Sequence, residues 1–199
     1  MQGPNNEPVD SAFGQFQIPY PQMPAGADSS STYIAAPWVG LLDEAGAFST
    51  DSGVIVQAGV LIEGTNGAFS VQAWWEWYPQ PYQFLPDFPV AFGDTISISV
   101  TMTSSGTANI VITNQSQHQQ TTIPAQGPAS SLDKAGFVVE DINKYPFLDF
   151  GRVTFSGCRA IIGGNQLGFD SISGELGLSN GKASGSISGS DVLVVTYNT

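Results

Sequence analysis

Positive charge is scarce in this chain: Lys and Arg number 5 against 17 Asp and Glu, a net charge of −12. Nucleic acids and anionic membrane surfaces both require a basic patch, so neither is expected as a partner. Charged residues of both signs make up only 11% of the chain, against about a quarter in an ordinary soluble domain. Most carboxylates therefore have no cation to pair with. Acid unfolds proteins largely by protonating carboxylates that are paired in the native state, and this chain has little of that kind to lose. Protonation instead relieves its self-repulsion. The composition suits an acidic medium.

Sulfur and imidazole are scarcer still. One cysteine, Cys158, excludes an intramolecular disulfide and is expected as a buried, inert thiol. One histidine, His118, lies in the polar run Asn114–Gln120. Together they exclude a zinc site and a Cys–His dyad, and no metal or cofactor is expected. With the lone histidine in a polar loop, Ser–His chemistry is not expected. Gly163-Gly164-Asn165 is not followed by a helix, so it makes no phosphate cradle. No apolar run approaches the roughly 20 residues that span a bilayer. The N-terminus has no leader pattern, so an exported form would have lost its leader. Helical periodicity is confined to one short turn expected near Ser130–Ala135. Asn114-Gln115-Ser116 is a glycosylation sequon, a common match.

What the chain does have is short strands. Its 199 residues fit one domain. Residues 1–32 form a Pro/Gly/Ser-rich segment with one strand expected over Phe13–Tyr20 and then a loop; residues 33–199 hold the domain proper. Tyr33–Val39 reads as extended. In Val54–Ile62 the even-numbered residues make a core face, which puts Gln57 on the opposite face beside Gly59. Phe69–Tyr78 carries Val71, Ala73, Trp75 and Trp77 on one face and Gln72, Trp74, Glu76 and Tyr78 on the other. Four prolines make Pro79–Pro89 a long aromatic loop across the sheet. Thr95–Thr103 and Thr107–Thr113 form a hairpin. Pro124–Lys134 reads as a loop, and more strands are expected over Gly136–Ile142, Gly151–Ser156, Asp170–Leu178, Lys182–Ser188 and Val192–Tyr197. Many short strands with Gly/Pro/Ser turns predict an all-β sandwich.

The strand around Glu140 organises the functional reading. Phe137, Val139 and Asp141 point one way, and Val138, Glu140 and Ile142 the other. A carboxylate among β-formers is costly to bury without compensation, and such groups often have altered pKa values. Two chemistries fit. Paired carboxylates with Trp74, Trp75 and Trp77 as sugar platforms would make a carbohydrate-active or carbohydrate-binding sandwich. One carboxylate with one amide, Glu140 with Gln57, would activate water and supply an oxyanion donor.

Four stretches occur in order: Trp38-Val39-Gly40, Gln57-Ala58-Gly59-Val60, Ala73-Trp74-Trp75-Glu76-Trp77-Tyr78-Pro79 and Val139-Glu140-Asp141. Together they resemble the motifs of the glutamic peptidases, the eqolisin family of acid endopeptidases. The resemblance implies a concanavalin-like sandwich of two bent antiparallel sheets. It implies catalysis by Gln57 and Glu140, with Trp38, Trp74 and Glu76 lining or supporting the substrate site. It further implies a secreted monomer acting on proteins or peptides, insensitive to pepstatin. The chain departs from the family pattern at Leu42-Asp43, where the acid is displaced by one, and at Gln72, where an acid is expected. The early Asn-Trp strand is replaced by Phe13-Gly14-Gln15-Phe16, and the disulfides common in fungal members are absent.

Overall fold

The computed structural model describes residues 1–2, 6–43, 53–142, 144–171 and 181–199. The described residues are strands joined by turns and irregular backbone, with no α-helix among them. The larger sheet runs β12 (Ala183–Ser188), β13 (Val192–Tyr197), β10 (Arg152–Ile162), β1 (Ser11–Gln17), β6 (Thr95–Ser104), β7 (Thr107–Asn114) and β8 (Gln119–Gln126), with β11 (Asn165–Leu167) also on β10. The smaller sheet runs β5 (Gln83–Phe84), β4 (Ala68–Tyr78), β3 (Ile55–Thr65), β2 (Thr32–Leu42) and β9 (Lys134–Glu140). The pairings within both sheets are antiparallel.

The core lies between the sheets. From the larger sheet, Phe16, Ile96, Ile98, Val100, Ile110, Ile112, Val153 and Phe155 enter it; from the smaller, Val56, Ala58, Val60, Ile62, Ala73, Trp77 and Phe137. Each set follows the period-two alternation read from the sequence. The apolar burial is large: each Ile or Leu removed from water contributes about 1.5–3 kcal/mol. One close approach locks the sheets in register. A β-carbon on Gly14 of β1 would come within 3.0 Å of the Phe137 ring and 3.3 Å of Val39. A glycine in the middle of β1 thus seats the aromatic ring of the strand that carries Glu140.

Several elements differ from the sequence reading. The N-terminal strand is Ser11–Gln17, and it is not peripheral: it lies between β10 and β6 in the larger sheet. Tyr20, the last residue of the expected strand, lies beyond it and is exposed. No helical turn forms at Ser130–Ala135; the backbone there is irregular and enters β9 at Lys134. Helix propensity loses because Lys134 and Ala135 pair with Leu42 and Leu41. The polar run after His118 becomes β8, which extends to Gln126 and so takes the start of the expected loop. Its apolar content is low, but its backbone completes the ladder of β7. β10 continues past Ser156 to Ile162. Within Pro79–Pro89, Gln83 and Phe84 pair with β4 as a two-residue edge strand, the place where flanking prolines are tolerated. The strand expected over 170–178 falls mostly outside the described residues.

Two side chains singled out in the sequence have defined places in the fold. Asn114 is fully buried, donating from Nδ2 to Pro89 O (3.1 Å) and to Asp94 Oδ2 (2.7 Å). The sequon asparagine is therefore a structural clamp with its amide already used. Cys158 is buried in the core, and burial pushes its thiol up to about 12, so it is inert as a nucleophile.

Candidate active site

The smaller sheet has a second face, away from the core, and it is also largely covered. Ile34, Ala36, Trp38 and Leu42 of β2, Leu61 of β3 and Trp74 of β4 form a second apolar cluster there, with Val138 and Ile142 packed on it. Ladder pairing fixes which side chains share this face. Trp38 is opposite Gly59 and Val138, Gly59 is opposite Trp74, Gln57 is opposite Gly40 and Glu76, and Glu140 is opposite Ala36. Paired residues in a ladder project to the same side. Gln57, Glu140, Trp38, Trp74 and Glu76 therefore all stand on one face; alternation within single strands had already set Gln57 off the core face and Trp74 with Glu76.

Two glycines make room for this arrangement. Gly59 sits between the two tryptophans; a β-carbon there would meet Pro37 O at 2.3 Å and Trp38 Cβ at 2.7 Å. On the far side, the Trp38 indole lies over Gly136, where a β-carbon would come within 2.8 Å of Cζ3. The sequence flagged Gly59 as leaving space; the role of Gly136 depends on a neighbouring strand and was not visible.

The polar groups are held by specific bonds. Trp38 Nε1 donates to Glu140 Oε2 at 2.9 Å. Gln57 Nε2 donates to Glu76 Oε2 at 2.6 Å, short as expected for a charge-assisted bond. Gln57 is buried, and its Oε1 has no hydrogen-bond partner among the described residues. The indole N–H of Trp74 is likewise buried without a partner. Unsatisfied buried groups are uncommon and call for a ligand or water. A carboxamide with one N–H tied to Glu76 keeps a second N–H and a carbonyl oxygen to offer.

Both carboxyls are shifted upward. Burial raises the pKa of Glu140 above the ordinary value; the Trp38 N–H opposes this and the charge of Asp141 adds to it. Burial also raises Glu76, with the Gln57 amide opposing and the charge of Glu140 adding. Glu76 thus feels Glu140 electrostatically across the face. Asp43, displaced relative to the expected pattern, serves the scaffold: it accepts from Val54 N (3.1 Å) and Ser130 Oγ (2.7 Å), joining β2, the approach to β3 and the segment before β9. Among the described residues no cluster of His, Cys, Asp and Glu is arranged to hold a metal ion. No helix of the described residues is long and apolar enough to cross a membrane.

These shifts have a consequence for stability. A carboxyl whose folded pKa exceeds its unfolded value binds protons more tightly when folded. Its contribution is present below the unfolded pKa and is lost as pH rises through the folded one. Glu76 and Glu140 should therefore weaken the fold between about pH 4.5 and neutrality, as should general repulsion at net −12. The melting temperature should be higher near pH 4 than near pH 8. A Glu76→Gln/Glu140→Gln double variant should lose less of it over that range than the parent. Equal losses would mean that neither carboxyl couples to folding.

The fold and this face define a class: an antiparallel β-sandwich of the eqolisin type. The family model described as the Peptidase A4 family matches residues 1–197, and the chain belongs to that family. Aspergillopepsin-2 of Aspergillus niger is 31% identical over 146 residues, covering 70% of this chain and 50% of that protein. Scytalidopepsin B of Scytalidium lignicola is 24% identical over 160 residues, covering 72% and 58%. The chain thus spans about half the length of the curated relatives it matches. Among solved structures, aspergilloglutamic peptidase from Aspergillus niger superposes with a TM-score of 0.71 at 30% identity, over 83% of this chain and 99% of that one. Scytalido-glutamic peptidase with a transition state analog inhibitor gives 0.79 at 21% identity, over 100% and 95%; that likeness concerns the fold.

Proposed function

We propose that this protein is a glutamic endopeptidase that hydrolyses peptide bonds in acid, with Glu140 and Gln57 as the catalytic pair. The observation that supports the reading is the shared face: a carboxamide of β3 and a carboxyl of β9 project from the same side of one sheet, as do two tryptophans, in a chain of the Peptidase A4 family. Water attacks the peptide carbonyl carbon while Glu140 takes its proton. The carbonyl π electrons move to oxygen, and the free N–H of Gln57 donates to that oxyanion. Gln57 Oε1, which has no partner among the described residues, accepts from the attacking water. Protonated Glu140 then gives its proton to the departing amine as the C–N bond breaks.

The other three residues have supporting roles. The indole of Trp38 holds the Glu140 carboxyl in place through Oε2. Glu76 holds the Gln57 amide in one orientation. Trp74 walls the site beside Gly59. The raised pKa of Glu140 makes it a stronger base, yet leaves it mostly protonated well below the ordinary carboxyl value. Activity should therefore fall towards the lowest pH. The acid-tolerant composition supports secretion into an acidic medium, and the depletion of positive charge supports protein or peptide, not nucleic acid, as the substrate.

The experiment is digestion of a denatured protein at a series of pH values around about pH 4, with pepstatin present. Cleavage abolished by neither pepstatin nor a chelator is the expected result. Hydrolysis or binding of a glycan without any proteolysis would overturn the reading, since Glu76 and Glu140 would then be acting as a glycosidase pair.

A further inference from the structure

Beyond β4 the site face continues onto β5, and its chemistry changes there. Phe84 pairs with Trp74, so its ring stands on the same face. Tyr82, two residues earlier, joins it: its ring is 5.3 Å from Phe84 and 6.3 Å from Trp74, both edge to face. Yet Tyr82 is 48% exposed and Phe84 40% exposed. The segment 79–89 contains one charged residue, Asp87. Two exposed rings therefore stand beside Trp74, whose buried indole N–H has no partner among the described residues. An apolar wall with a few unsatisfied polar groups at its foot is the composition of a ligand site.

We propose that Tyr82, Phe84 and Trp74 form a specificity subsite that receives a large apolar side chain of the peptide substrate. The inference rests on the peptidase reading and deepens it. Geometry limits which substrate residue is read. The wall is two strands from β3, about 10 Å at the usual strand spacing, and an extended peptide advances about 3.3 Å per residue. The side chain received belongs to a residue within about three positions of the scissile bond, on the Gln57 and Glu76 side of the face. Edge-to-face rings leave an angular slot between them, which suits an aromatic or branched aliphatic group. The carboxyl of Glu76, on the same face two residues along β4 from Trp74, disfavours an acidic residue. The competing account is that the two rings only shield the β4 edge from pairing with other chains.

The test uses paired peptides that differ at one position within three residues of a wild-type cleavage point, Phe in one and Ala in the other. For each pair, kcat/KM is measured for the parent, for Tyr82→Ala/Phe84→Ala, and for Tyr20→Ala, an exposed ring packed elsewhere on Phe92. At one position the parent should prefer Phe, and the double variant should lose at least about tenfold of that preference, as hydrophobic pockets discriminate on that scale. Tyr20→Ala should keep the parental ratio. Melting curves establish that the double variant is folded, and the single variants replace it if it is not. Parental ratios retained in a folded variant, or a fall shared equally by both peptides, would leave only the edge-shielding role and overturn the subsite. A parent that cleaves no peptide at all overturns the peptidase reading and the subsite with it.

Discussion

Glu140→Gln should abolish most peptide hydrolysis while leaving the fold intact. The substitution keeps the size and the bond to Trp38, since an amide oxygen accepts the indole N–H as a carboxylate does. It removes the base. General-base catalysis is worth about 10²–10⁴ in rate, so kcat should fall by at least the lower figure. KM should move little, because the shape of the face is retained. Burial raises the pKa of Glu140, so the parent's kcat/KM should rise with pH through a value above the ordinary carboxyl range. The residual activity of the variant should lack that ascent. Stability should not drop: the variant removes a buried carboxyl whose ionisation opposes folding, so its melting temperature near pH 7 should match or exceed the parent's. Near-parental cleavage by purified Glu140→Gln would remove this residue from the mechanism.

Gln57→Ala should cost about 10²–10³ in kcat, the usual loss for one oxyanion donor. Its effects reach further than the amide itself. Glu76 loses the hydrogen bond that holds its pKa down, so burial and the charge of Glu140 then act unopposed and its pKa should rise further. Gln57→Glu is the sharper probe. It sets a second carboxyl against Glu76 at the distance of the present 2.6 Å bond. Two carboxyls so placed share a proton in acid and repel once both ionise. The variant should be inactive throughout, folded in acid, and destabilised towards neutral pH more steeply than the parent. Full activity in Gln57→Ala alongside an inactive Glu140→Gln would keep the base and place the oxyanion donor elsewhere. A Gln57→Glu protein with the parental dependence of melting on pH would mean that the bond to Glu76 has no weight in solution.

Much of this site was legible in the chain because strand alternation is a local property. Val56, Ala58, Val60 and Ile62 announce a core face, and Gln57 must then lie on the other. The same reasoning set Trp74 and Glu76 together, and Val138 with Glu140. The order of four short stretches then supplied the family, which the match over residues 1–197 bears out. The depletion of Lys and Arg set the electrostatic character.

Other features required partners that no local pattern names. Trp38 meets Glu140 across 102 positions, and Gln57 meets Glu76 across 19; such registers follow from how whole strands pair. β1 became a central strand because its backbone pairs with both β10 and β6, and its Gly14 admits Phe137 of the other sheet, a contact that neither residue signals alone. The polar residues of β8 formed a strand for their backbone, not their side chains: β7 needed a partner for its outer hydrogen bonds. The sequon at Asn114 matched a surface motif, but folding buried the amide against Asp94 and Pro89. Tyr82 and Phe84 read as loop aromatics because prolines mask their spacing; pairing of Phe84 with Trp74 turned them onto the site face. Composition and alternation by themselves determined an all-β chain poor in positive charge and the face on which strand residues stand. The tertiary structure alone decided which faces meet, since a side chain's partner is set by long-range register and packing and not by its neighbours in sequence.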